Sequence, residues 1–158
     1  MTAAEYIAFV RRQSTHGDKA RAGRLGLWSE AGEVAGLFER ELRAGCQPID
    51  RDKLVEELGD CLFYFVLWSS SEGTGRWAMD YLGERWAKLP LIARTDWRKW
   101  GTSHDRLFSS DRRNVLYSLL AIFGRLGMTA QDVAACNVAK LERRNAEGSI
   151  TDRSKRTA

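Results

Sequence analysis

The sequence predicts an all-α protein, and three observations carry that reading. Apolar residues recur at three- and four-residue spacing along nearly the whole chain. No stretch shows the strict alternation of a half-buried strand. Only two prolines, Pro48 and Pro90, interrupt the 158 residues, so long helices can run unbroken.

Residues 3–13 read as a short helix with Tyr6, Phe9, Val10 and Gln13 along one side. The run STHGDK is a turn, and Asp18 within it is an N-cap for the next segment. That segment is a long helix from about residue 20 to Arg43, which Gly45 can close. CQPID is a loop, and Asp50 or Asp52 starts a helix that runs to about Ser71. Residues 72–110 differ in kind. Gly73, Gly75, Gly83, Pro90 and Gly101 break them up, and they hold four of the six tryptophans, Trp77, Trp86, Trp97 and Trp100. A helix near 76–88 is expected there, followed by irregular structure. Ser110 is expected to cap a helix to about Arg125, which Gly127 ends. Thr129 with Asp132 makes a capping box for a last helix over 130–146. The sequence after Gly148 is polar and reads as a mobile tail. Residues 1–147 therefore form one helical domain, with 148–158 outside it.

Composition narrows the class of function. Hydrophobic residues make up 44%, enough for a packed core. Cys46, Cys61 and Cys136 are far apart, odd in number and without CxxC spacing, which suits reduced thiols in a cytoplasmic protein. The N-terminus lacks the basic region and apolar run of a signal peptide. The longest apolar run, Cys61–Trp68, has eight residues, against roughly 20 for a membrane span. Net charge is +4, with +3 of it in residues 140–158. This surplus favours an anionic ligand but is too small to argue for nucleic acid.

The chemistry lies in two acidic pairs. Glu30 and Glu33 are three apart in GLWSEAGEVAGLFERE, and Glu57 and Asp60 are three apart in VEELGDCLFYFVLW. On the first helix Leu27, Ala31, Val34 and Phe38 form the core stripe, with the acids on its flank beside Gly26 and Leu37. On the second, Leu54, Leu58, Cys61 and Phe65 form the stripe, with the acids on the matching flank beside Lys53 and Tyr64. Either pair alone would be an ordinary solvated feature. Packed as an αα-hairpin, the two flanks converge on four carboxylates that a cation must neutralise. Hard oxygen donors with no histidine or thiolate favour Mg²⁺, with Mn²⁺ as a substitute. A di-iron site would need Glu-x-x-His motifs, and neither His16 nor His104 follows a glutamate by three. Near the C-terminus Asn137, Lys140 and Arg144 share one helix face and can meet phosphate oxygens.

Glu30-x-x-Glu33 followed by Glu57-x-x-Asp60 resembles the ExxE…ExxD signature of the MazG-like, all-α nucleoside triphosphate pyrophosphohydrolases. GLWSEAGEV and EELGDCLFY resemble the flanking words of that signature, and NVAKLERR resembles the family's C-terminal segment. The resemblance covers about 20–70 and 127–146. It implies a helical bundle in which Glu30, Glu33, Glu57 and Asp60 hold Mg²⁺. It implies hydrolysis of a (deoxy)nucleoside triphosphate to monophosphate and pyrophosphate, in a homodimer or homotetramer. Glu33 is taken as the general base. Asn137, Lys140, Arg144 and Tyr64 are taken as contacts to the nucleotide. The Trp-rich insertion at about 72–114 departs from the family pattern and bears on both the bundle topology and the base pocket. Two other readings stay open. One is a pyrophosphohydrolase of another nucleotide, such as dUTP or phosphoribosyl-ATP. The other is a catalytically silent helical module that binds a nucleotide, nucleic acid or protein.

Overall fold

A computed structural model describes residues 1–15, 17–43, 48–71, 75–88 and 106–147. The described residues form six α-helices and one short 3₁₀ turn, with no strand among them. The helices are α1 (Ala3–Gln13), α2 (Lys19–Leu42), α3 (Arg51–Ser71), α4 (Arg76–Arg85), α5 (Arg112–Arg125) and α6 (Ala130–Ala146), and the 3₁₀ turn is Arg106–Phe108. The all-α expectation holds, and no described helix is long and apolar enough to cross a membrane. Gly45, Trp97, Trp100, both histidines and the tail from 148 lie outside the described residues.

Except at α4, the helix starts follow from side chains that satisfy otherwise orphaned amides. Thr2 and Glu5 close a capping box on α1. Asp18 Oδ1 accepts from the Arg21 amide at the start of α2. Asp50 Oδ1 accepts from the amides of Asp52 and Lys53. Thr129 and Asp132 close the expected box on α6. At α5 the cap is Asp111, whose Oδ1 accepts from the Arg113 amide, and not the expected Ser110. The carboxylate one residue on reaches the first turn better than the hydroxyl. Gly127, with φ +70°, turns the chain out of α5 as anticipated.

Helix α3 is central and packs against all five other helices. Its most extensive partner is α2, and two contacts fix the register of that pair. A Cβ on Gly23 would lie 2.4 Å from the Trp68 amide nitrogen, and one on Gly26 would lie 2.4 Å from the Tyr64 ring. Position rises along α2 as it falls along α3, so the helices are antiparallel. Continued along the hairpin, this register sets Glu30 level with Asp60 and Glu33 level with Glu57.

The core stripes match the periodicity closely. Leu27, Ala31, Val34, Leu54, Leu58, Cys61 and Phe65 are all buried. Phe38 is only partly buried, and Leu37 takes the core position instead. Leu62 and Val66, also on α3, are buried within the single chain. Trp86 is buried: its ring lies 5.5 Å from that of Tyr6, and its indole N–H donates to the Met1 carbonyl at 2.9 Å. Trp77 is exposed and stacks on Tyr81.

Candidate metal and phosphate site

The register of α2 and α3 brings three of the four predicted acids to one point. Carboxylate oxygens of Glu30, Glu33 and Glu57 all lie within 4.8 Å of one another. Their surroundings differ. Glu57 is buried, Glu30 half-buried and Glu33 exposed. Lys53, one turn before Glu57 on α3, binds that carboxylate and also lies 3.6 Å from Glu56. Its hydrogen bond to Glu57 raises the Lys53 pKa.

Crowding tells on Glu30. Burial, then the charges of Asp60, Glu33 and Glu57, push its pKa up to about 7, while Lys140 pulls it down. A cluster of anions that holds a proton near neutrality is the electrostatic signature of a site short of positive charge. Among the described residues the donors are carboxylate oxygens, with no imidazole or thiolate in the cluster. Cys61, next to Asp60, faces the core, and burial keeps its thiol protonated. This donor set fits a hard divalent cation.

Asp60 stands beside the trio and is held by the last helix. Its Oδ1 accepts from Asn137 Nδ2 at 2.8 Å, and its Oδ2 lies 2.5 Å from Lys140 Nζ. Asn137 and Lys140 are 1% and 4% exposed. The approach of α6 depends on Gly59, where a Cβ would meet the Asn137 Cβ at 3.0 Å. Two of the three candidates from the C-terminal segment, Asn137 and Lys140, therefore face the acids. Asn137 spends its oxygen on the Tyr6 hydroxyl and one of its two amide hydrogens on Asp60. Arg144 is half-buried one turn beyond Lys140, and Arg143 lies 3.9 Å from Glu56.

Tyr64 is half-buried one turn past Asp60, with its ring against Gly26. It lines an open groove of about 490 Å³ together with Asp18, Arg21, Ala22 and Leu25. The groove adjoins the acid cluster, since Gly26 and Tyr64 are each one turn from an acid.

One member of the site escapes sequence reasoning. The Tyr6 hydroxyl on α1 donates to Asn137 Oδ1 at 3.1 Å, across 131 residues of sequence. Gly59 beside Asp60 was the available hint that something packs tightly there. Nothing in the sequence pointed to Tyr6.

Residues 21–88 match the family model of the MazG nucleotide pyrophosphohydrolase domain. The match spans α2, α3 and α4, and with them Glu30, Glu33, Glu57, Asp60 and Tyr64. Tyr6, Asn137 and Lys140 lie beyond it. Neither the curated proteins nor the solved structures give a match.

Proposed function

We propose that the chain, whose residues 21–88 match the MazG nucleotide pyrophosphohydrolase domain, is a MazG-like hydrolase acting on nucleotide anhydrides, and that it cleaves a nucleoside or deoxynucleoside triphosphate to the monophosphate and pyrophosphate, using Mg²⁺. The observation that carries the proposal is the convergence of Glu30, Glu33 and Glu57, with Asp60 beside them under two α6 side chains.

In this reading Glu30, Glu33, Glu57 and Asp60 hold Mg²⁺, for which Mn²⁺ can substitute. The bound cation supplies positive charge at the attacking and leaving oxygens of a polyanionic substrate. Glu33, the most exposed of the trio, takes the proton of the attacking water. The water oxygen bonds to the α-phosphorus, the bond from that phosphorus to the α,β-bridging oxygen breaks, and pyrophosphate leaves. Lys140 and Arg144 put positive charge beside the phosphates. Asn137 serves by orienting Asp60. The Tyr64 groove receives the nucleoside, with the aromatic ring on one wall and Arg21 at the rim.

We also propose a homodimer or homotetramer. The support is the set of large apolar side chains left exposed, among them Leu25, Trp77, Phe108 and Tyr117.

A panel of canonical and modified NTPs and dNTPs with Mg²⁺, followed by chromatography, tests the reaction. Monophosphate and pyrophosphate as first products are expected. Diphosphate and phosphate would overturn the assigned bond, and turnover of dUTP or phosphoribosyl-ATP alone would reassign the substrate. No turnover anywhere in the panel would leave the silent module.

A further inference from the structure

A short chain of hydrogen bonds reaches the acid cluster from the opposite end of the sequence. Tyr6 Oη donates to Asn137 Oδ1 at 3.1 Å, and Asn137 Nδ2 donates to Asp60 Oδ1 at 2.8 Å. Tyr6 is 0% exposed and Asn137 1%, so water does not compete for either bond.

The chemistry of the three groups fixes the direction of the chain. An ionised carboxylate only accepts, so Asn137 must present its NH₂ to Asp60. The amide oxygen then faces Tyr6, which must donate. The reversed amide would set two oxygens against each other at Asp60. Tyr6 is suited to this task, because burial, and then the charge of Asp60, hold its phenol well above the usual range and keep the proton on oxygen. Its ring is itself fixed, stacked on Phe9 at 6.3 Å and packed on Trp86 at 5.5 Å. The buried tryptophan of the Trp-rich segment thus supports the site from behind.

We propose that Tyr6 is a positioning residue for Asp60: by locking the Asn137 amide in one orientation, it sets the carboxylate for metal binding. The proposal rests on the metal role assigned above. Outer residues that orient a ligand typically change metal affinity when removed, although they never touch the ion.

The test is calorimetric titration of the nucleotide-free protein with Mn²⁺, for wild type, Tyr6→Phe, Asn137→Ala and the double variant. Tyr6→Phe keeps the ring packing and deletes only the donor. It is expected to weaken Mn²⁺ binding by about fivefold, and Asn137→Ala by about tenfold or more. The double variant is expected to bind no more weakly than Asn137→Ala, because Tyr6 acts only through that amide. Losses that add in the double variant, or wild-type affinity in Tyr6→Phe, would overturn the proposal. An independent readout needs no Asn137 variant. The side-chain amide resonances of Asn137 should shift and exchange faster in Tyr6→Phe, and unchanged resonances would refute the lock. Wild-type protein that binds no Mn²⁺ would refute the metal reading instead, while the resonances still report on the hydrogen-bonded chain.

Discussion

Lys140 Nζ lies 2.5 Å from Asp60 Oδ2, and the two side chains are 4% and 17% exposed. The two central acids should therefore respond oppositely to neutralisation. Asp60→Asn strands a buried ammonium and should cost on the order of 3 kcal/mol of stability. Glu30→Gln removes a charge from a crowded cluster and should be neutral or stabilising by up to about 1 kcal/mol. Both should abolish pyrophosphate release. Thermal melts of the metal-free variants decide the matter, and an Asp60→Asn protein as stable as wild type would deny the buried pair any role in the fold.

Stability without metal should fall with rising pH. Glu30 has its pKa raised from 4.5 to about 7 in the folded chain. Below about pH 4.5 it is protonated in both states and contributes nothing. Between there and about pH 7 the unfolded chain releases the proton while the folded chain keeps it, so unfolding gains as pH rises. Above about pH 7 the penalty is constant. Melting temperature should drop across that window in wild type and less steeply in Glu30→Gln. Metal binding must expel the same proton, so affinity should climb with pH to about 7 and then level. An identical pH slope in the two proteins would contradict this account.

Two glycines on α2 should behave oppositely. At Gly23 a Cβ would sit 2.4 Å from the Trp68 amide nitrogen and 2.7 Å from its Cα, atoms that cannot turn aside. Gly23→Ala should part α2 from α3 and cost about 3 kcal/mol or more. At Gly32 nothing lies within 4 Å, so Gly32→Ala should stabilise the helix by up to about 1 kcal/mol. Chemical denaturation measures both, and a tolerated alanine at 23 would refute the close crossing.

Gly26→Ala tests the nucleoside groove. The new Cβ would fall 2.4 Å from two ring carbons of Tyr64, so the ring must swing into the groove. KM should rise about tenfold with kcat changed far less, because a binding wall moves while the acids stay in place. Unchanged KM would place the nucleoside elsewhere.

Light scattering at micromolar concentration should report two or four chains. The exposed Trp77, Phe108 and Tyr117 are the surfaces to alter next, and Trp77→Ser with Tyr117→Ser should weaken an assembly that uses them. A single-chain mass would refute the assembly.

How far the sequence reached can be traced residue by residue. Leu27, Ala31 and Val34 on α2, with Leu54, Leu58 and Phe65 on α3, were legible because a buried face repeats with the helical period. The same period put Glu30, Glu33 and Glu57 on facing flanks, and a short loop makes neighbours of consecutive helices. Asp18, Thr129 and Asp132 were legible because capping is local chemistry. The partners of Asp60 are another matter. Asn137 and Lys140 lie 77 and 80 residues away, and Tyr6 reaches the site through its hydrogen bond to Asn137. Periodicity marked Asn137 and Lys140 as one face but could not say whether that face met phosphate or carboxylate. Local spacing likewise could not tell Asp111 from Ser110 as a cap, or Leu37 from Phe38 as the core residue, since each choice turns on a fraction of a helical turn.

The division of the site between one hairpin and two distant helices also orders its history on the ribosome. Glu30, Glu33, Glu57 and Asp60 all belong to α2 and α3, neighbouring helices that are made before α6. Lys140 and Asn137 sit on the last helix described. The nascent protein thus holds its negative charges before α6 is made, and the ammonium that answers Asp60 follows 80 residues later. Newly made hairpin and finished protein are for that reason electrostatically different objects, and completion of α6 closes the gap between them.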